Sequence, residues 1–137
     1  MRTRPLDRAF IEQFVRAAHG NFSELQRLAK QNRAVLTAST HWGGGDWENA
    51  LQAAAHTGNR TIAKWLIAQG VPIDLFAAAM LGDVTIVRAI VERYPHLLYA
   101  KGAHDIPLLH HALVGGHEAR DVYDYLTMKM TKERWKV

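Results

Sequence analysis

A local pattern that recurs four times is the feature of this sequence that most constrains its fold. In each copy an apolar, mostly alanine-rich helical stretch ends at a glycine, and after a short turn a second helix begins with apolar residues at helical spacing. The glycines are Gly20, Gly58, Gly82 and Gly116. Glycine is favoured directly after a helix because it adopts the left-handed conformation there without a steric penalty. The recurrence predicts a row of short antiparallel helix pairs, each stabilised by its neighbours.

The polar residues around the glycines also favour an all-α chain. Asn21, Asn59 and Asp83 follow three of them, where an Asn or Asp side chain can accept hydrogen bonds from the unpaired amides of the next helix. Asp46 precedes another helical run, and we expect it to cap that helix in the same way. No convincing alternation of apolar and polar residues predicts a β-strand anywhere in the chain. The fold class is therefore expected to be all-α.

The four segments resemble the ankyrin repeat, whose consensus runs Thr-Pro-Leu-His-x-Ala-Ala-x-x-Gly-His, followed by Val-x-x-Leu-Leu and a Gly-Ala loop. The second copy matches at Leu51, Ala54, Ala55, Gly58, Ile62, Leu66, Ile67 and Gly70. The fourth copy matches at Leu109, His110, Ala112, Gly116, His117, Val122 and Leu126. The resemblance implies an ankyrin-like repeat solenoid of about four helix-turn-helix pairs with irregular connectors, forming one domain over residues 1–137. The repeats lie at approximately 6–32, 46–71, 73–95 and 106–130.

The connector between the first two copies departs from that family pattern. Successive glycines stand 38, 24 and 34 residues apart, whereas the ankyrin period is about 33 residues. The longest step contains the segment Trp42-Gly-Gly-Gly-Asp-Trp47. Three glycines permit positive φ angles and leave backbone amides uncovered, and tryptophans are typical of binding hot spots. The irregular connector is compatible both with a local site and with simple drift of the repeat.

The resemblance also implies that the first helix of each pair lines a concave surface. His19, His56 and His111 are expected to face it, with Met80 between the last two. We therefore predict a module that recognises an unidentified protein or peptide through this face and the Trp42–Trp47 connector, with Trp42 and Met80 as apolar anchors. The candidate binding residues are His41, Trp42, Asp46, Trp47, His56, Met80 and His111.

A small-molecule-binding protein or an enzyme with a histidine-lined pocket is the alternative. Imidazole can shuttle protons or donate hydrogen bonds near neutral pH, and Asp46, Glu48 and Asp105 are carboxylates near the connectors. However, the chain has no cysteine, no nucleophile elbow and no His-Glu-x-x-His motif. We accordingly predict no catalytic residue, no metal and no cofactor, and we favour a binding function over an enzymatic one.

The distribution of charge argues against nucleic acid as the partner. The formal net charge of +4 arises from basic ends, since residues 1–33 carry +4 and residues 129–137 carry +3, while residues 34–128 carry −3. A nucleic-acid-binding domain usually concentrates Lys and Arg on its working surface. No apolar run approaches the roughly 18 residues of a membrane span, and the N-terminus lacks the apolar stretch typical of a secretory signal. We expect a cytoplasmic protein.

Overall fold

A computed structural model describes residues 5–134, and most of these residues are helical. The α-helices are α1 (Arg8–Ala17), α2 (Phe22–Gln31), α3 (Ala50–His56), α4 (Arg60–Ala68), α5 (Leu75–Leu81), α6 (Val84–Arg93), α7 (Leu108–Val114) and α8 (Arg120–Arg134). Short 3-10 turns lie at Arg33–Thr37, Pro95–Tyr99, Ala103–Asp105 and Gly116–Ala119. The basic ends predicted from the sequence include residues 1–4 and 135–137, which lie outside the described residues. Within residues 5–134, none of the helices has the length and apolar character needed to cross a bilayer.

The helix boundaries follow largely from the predicted capping residues. The side chains of Asn21, Asn59 and Asp83 accept hydrogen bonds from backbone amides three residues ahead, so these three caps are confirmed. The expected role of Asp46 is wrong, because α3 is capped by Asn49. The Asn49 side chain accepts from the amide of Gln52 while the Gln52 side chain accepts from the amide of Asn49, which forms a capping box. Asp46 lies too early in the chain for that role and has a different partner, described below.

A β-hairpin occupies the connector before α3, so the expectation that the chain contains no strand is wrong. Strand β1 (Ser39–His41) pairs antiparallel with β2 (Trp47–Asn49), with Thr40 opposite Glu48. Each strand has three residues, which is too short for an alternating pattern to be recognised in the sequence. The turn contains Gly43, Gly44 and Gly45, all with positive φ. Because side chains alternate across a strand, Trp47 lies in solvent and Glu48 lies in the interior.

The first helices of consecutive pairs pack against one another. Helix α1 contacts α3, α3 contacts α5, and α5 contacts α7, while each first helix also packs on the second helix of its own pair. Small residues allow these close approaches: Ala53 and Ala77 are fully buried, and a side chain at Gly115 would collide with the carbonyl oxygen of Met80. The first helices α1, α3, α5 and α7 thus pack side by side in chain order.

This close packing overturns the expectation that Met80 and His111 face an open surface. Met80 is 0% exposed and His111 is 1% exposed. Helices α5 and α7 approach so closely that the positions facing between them belong to the core rather than to a groove. Neither side chain is placed to contact a partner.

Candidate functional site

Three histidines surround one carboxylate where the connector between α2 and α3 and the connector between α6 and α7 meet the ends of α1 and α3. His19 lies just beyond α1, His56 is the last residue of α3, Glu48 lies on β2, and His104 lies in the loop before α7. One donor atom from each of the four side chains can be chosen so that all lie within 4.8 Å of one another. We call these four residues, together with Asp46, the histidine–carboxylate site.

Glu48 is the centre of the site and is 0% exposed. Its Oε1 accepts a hydrogen bond from Trp42 Nε1 at 2.9 Å, and its Oε2 accepts one from His56 Nε2 at 2.7 Å. Burial raises the pKa of this carboxyl, but hydrogen bonds from His19 and His56 outweigh that effect and hold the pKa well below its usual range. Glu48 is therefore a buried anion at neutral pH.

His19 is oriented so that one ring nitrogen faces Glu48. Its Nδ1 lies 2.9 Å from the carbonyl oxygen of Val15, and since a carbonyl only accepts, Nδ1 carries the hydrogen. Its Nε2 then lies 3.4 Å from Glu48 Oε1. The interaction with Glu48 raises the pKa of His19, and partial burial opposes that rise.

His104 is oriented in the same way by Asp46. Its Nδ1 lies 2.6 Å from Asp46 Oδ2, and its backbone amide donates to Asp46 Oδ1 at 2.8 Å. The backbone hydrogen bond from His104 lowers the pKa of Asp46, so Asp46 is ionised and accepts both bonds. The Nε2 of His104 is left 3.3 Å from Glu48 Oε1.

The backbone that carries His104 is strained. His104 and Asp105 have φ values of 60° and 58°, the left-handed region that non-glycine residues adopt at a cost. The loop is closed by hydrogen bonds from the Gly102 amide to the Ile106 carbonyl and from the Asp105 amide to the Gly102 carbonyl. Local strain concentrated at a side chain that points into a polar cluster is typical of functional sites.

His56 lies between the other two imidazoles. Its ring centroid is 5.1 Å from that of His19 and 5.1 Å from that of His104, in edge-to-face arrangements. The site therefore places three imidazoles around a single buried carboxylate.

Two open recesses border the site. One, of about 410 Å³, is lined by Arg16, His19, Trp42 and His104, and the guanidinium of Arg16 lies 4.9 Å from the centre of the Trp42 ring. The other, of about 700 Å³, lies between the glycine turn of the hairpin and the loop at residues 101–105. A small molecule can therefore approach His19 and His104 through the first recess and His104 through the second.

The structure brings together three of the seven candidate residues. Trp42 contacts Glu48, and Asp46 contacts His104. His56 is itself one of the three histidines beside Glu48. His41 and Trp47 lie outside it on the hairpin, where their rings stack with centroids 4.6 Å apart and the Nε2 of His41 accepts from the Gly45 amide.

The last two candidates, Met80 and His111, lie in the core as described above. His111 donates through Nδ1 to the Pro107 carbonyl at 2.8 Å, and burial lowers its pKa to about 4. It is a neutral structural histidine and not a polar contact for a ligand.

Sequence reasoning missed His104 and gave Glu48 no central role. The four side chains come from four separate segments, so their spacing forms no local motif. The available signal was the irregular connector between the first two repeats, which supplies Asp46 and Glu48. The step of 34 residues that carries His104 is close to the regular period and gives no such signal. The sequence matches no protein-family model and no curated protein.

Proposed function

We propose that this chain is an ankyrin-like repeat protein that binds a small ligand at the histidine–carboxylate site. The repeat assignment is supported by four helix pairs whose first helices pack in chain order. It is also supported by the left-handed backbone at Gly58, Gly82 and Gly116, three of the four glycines that end a first helix. A cytoplasmic location is part of the same proposal, and the lack of cysteine in the sequence is compatible with it.

The observation that carries the ligand assignment is the buried carboxylate of Glu48 beside three imidazoles. A buried charge requires compensation, and a protein that needed only a stable core would place an apolar residue there at lower cost. The arrangement is instead held by a strained loop and opens to solvent through two recesses. Such a concentration of polar groups bordering a concavity is typical of a ligand site.

The expected extended protein-binding face has less support. Among the positions predicted to line it, Met80 and His111 are buried. What remains accessible is a compact polar region, which suits a small polar ligand better than a peptide.

A ligand-release experiment tests the proposal. The purified full chain is incubated with the low-molecular-mass fraction of a cell extract, washed, denatured, and the released compounds and metals are identified by mass spectrometry. We expect the same compound or metal to be released from the wild type and from His117→Ala but not from His104→Ala. His117 is an exposed histidine outside the histidine–carboxylate site and serves as the control. Identical release from all three variants, or none from any, contradicts a ligand site at these residues.

Protein or peptide binding through the hairpin is the second candidate, and a specific observation favours it. Trp47 is 58% exposed although it is a large aromatic residue, and it stacks on His41 beside a recess of about 230 Å³. An exposed, rigidly stacked tryptophan is a typical interface anchor. If a protein partner is captured, Trp47→Ala should abolish capture while His104→Ala leaves it intact, and the reverse result contradicts this candidate.

A further inference from the structure

The histidine–carboxylate site has the donor atoms of a metal centre. We infer that His19, His56, His104 and Glu48 bind a divalent transition-metal ion of the zinc class. This inference rests on the proposed function, because it names the ligand of the same site. Imidazole nitrogen and carboxylate oxygen are both common zinc ligands, and four such donors complete a tetrahedral shell.

Two distances from Glu48 Oε1 fit an ion of this size, and all four donor atoms lie within 4.8 Å of one another. With metal–ligand bonds of about 2.0–2.1 Å, neighbouring donors of a tetrahedral site lie roughly 3.3–3.5 Å apart. Glu48 Oε1 lies 3.4 Å from His19 Nε2 and 3.3 Å from His104 Nε2. The hydrogen bond between His56 Nε2 and Glu48 Oε2, at 2.7 Å, is the contact that must lengthen, as the ion takes the place of the proton.

The Nδ1 atoms of His19 and His104 already form the hydrogen bonds that metal-binding histidines usually form. A histidine that binds metal almost always donates its other N–H to a carboxylate or a backbone carbonyl, which fixes the tautomer and the ring orientation. His104 donates to Asp46 and His19 donates to the Val15 carbonyl. In both rings Nε2 is thereby directed at the common centre.

The charge of the site suits a divalent cation. Glu48 and Asp46 supply two negative charges, and one divalent ion bound by neutral imidazoles balances them.

The donor set also indicates which metals suit the site. Three imidazoles favour zinc, copper, nickel, cobalt or iron over magnesium and calcium, which prefer shells of oxygen ligands. The absence of a sequence motif is consistent with this assignment, since the ligands lie on four different segments and are united only by the fold.

Calorimetric titration with zinc chloride tests the inference. The full chain, with any purification tag removed, is stripped with a chelator and titrated with Zn²⁺ at neutral pH. We expect one ion per chain with a Kd of about 1 µM or tighter, as in established zinc sites. Replacing a ligand in His104→Ala or His56→Ala should weaken binding at least about 100-fold, and Asp46→Asn, which removes only the orienting carboxylate, about 10–100-fold.

The controls separate this outcome from general effects. His117→Ala should bind zinc like the wild type, and circular dichroism of each metal-free variant establishes that it is folded. Absent or substoichiometric zinc binding by the wild type, or equal weakening in His117→Ala, overturns the metal assignment. If the ligand-release experiment then yields an organic compound that depends on His104, the metal inference fails while the proposed function stands. If neither zinc nor a compound binds, both fail.

Discussion

Replacing Glu48 by glutamine should destabilise the metal-free protein by about 3 kcal/mol, because the hydrogen bonds of a buried carboxylate are replaced by weaker neutral ones and the negative charge facing the imidazoles is lost. Trp42 Nε1 donates to Oε1 and His56 Nε2 donates to Oε2. In Glu48→Gln one of these positions becomes an NH₂ group, so His56 Nε2 must give up its hydrogen and accept instead, and two charge-assisted hydrogen bonds become neutral ones, at a cost of roughly 1–3 kcal/mol. The change also removes the negative charge that faces the imidazoles, which adds a loss of similar size.

Urea unfolding at pH 7 in the presence of a chelator measures this difference. The matched control is Glu118→Gln, which removes an exposed carboxylate that pairs with Arg60 at 2.8 Å. An exposed ion pair contributes about 0–1 kcal/mol, so this variant should unfold close to the wild type. If Glu48→Gln is as stable as Glu118→Gln, the carboxylate is not the buried, hydrogen-bonded anion on which the site depends.

Two further predictions concern the scaffold. Gly115→Ala should lower the free energy of unfolding by about 1–3 kcal/mol or more, because its Cβ would collide with the Met80 carbonyl. Gly20→Ala is the control, because no atom lies within 4 Å of the added Cβ, and it should change the free energy of unfolding by less than about 1 kcal/mol. If urea unfolding shows equal effects of Gly115→Ala and Gly20→Ala, the close packing of α5 on α7 is contradicted. His111 has a pKa of about 4 in the folded protein against 6.5 for the ordinary group, so stability is retained above pH 6.5 and falls as the pH drops towards 4. The stability of the wild type relative to His111→Gln should therefore decrease by about 3 kcal/mol between pH 7 and pH 4, and a pH-independent difference would contradict the neutral buried imidazole.

The helical part of the fold was predictable because its signals are local. Amphipathic spacing identified the helix pairs, and Asn21, Asn59 and Asp83 marked the helix starts through a hydrogen bond that spans only three residues. The glycines were informative for the same reason, since a left-handed φ at Gly58 or Gly82 is a property of one residue. Features determined within a turn or two of the chain can be inferred from one sequence.

The site was only partly predictable because it depends on contacts between distant segments. Asp46 was assigned to a helix cap from its neighbours in sequence, but its carboxylate binds His104, which is 58 residues away. The burial of Met80 was missed for a related reason: the closeness of α5 and α7 depends on Gly115, and composition alone does not reveal such an approach. The hairpin that carries Glu48 is too short to have a periodic signature.

A crystal structure of the zinc-loaded chain, with diffraction recorded on both sides of the zinc absorption edge, would show directly whether the histidine–carboxylate site binds the ion. We expect one anomalous peak per chain, about 2.0–2.2 Å from Nε2 of His19, His56 and His104 and from a carboxylate oxygen of Glu48. Asp46 should retain its hydrogen bond to His104 in that structure. A zinc peak elsewhere on the chain, or none while the four side chains keep their present contacts, would contradict the assignment of this cluster as the metal site.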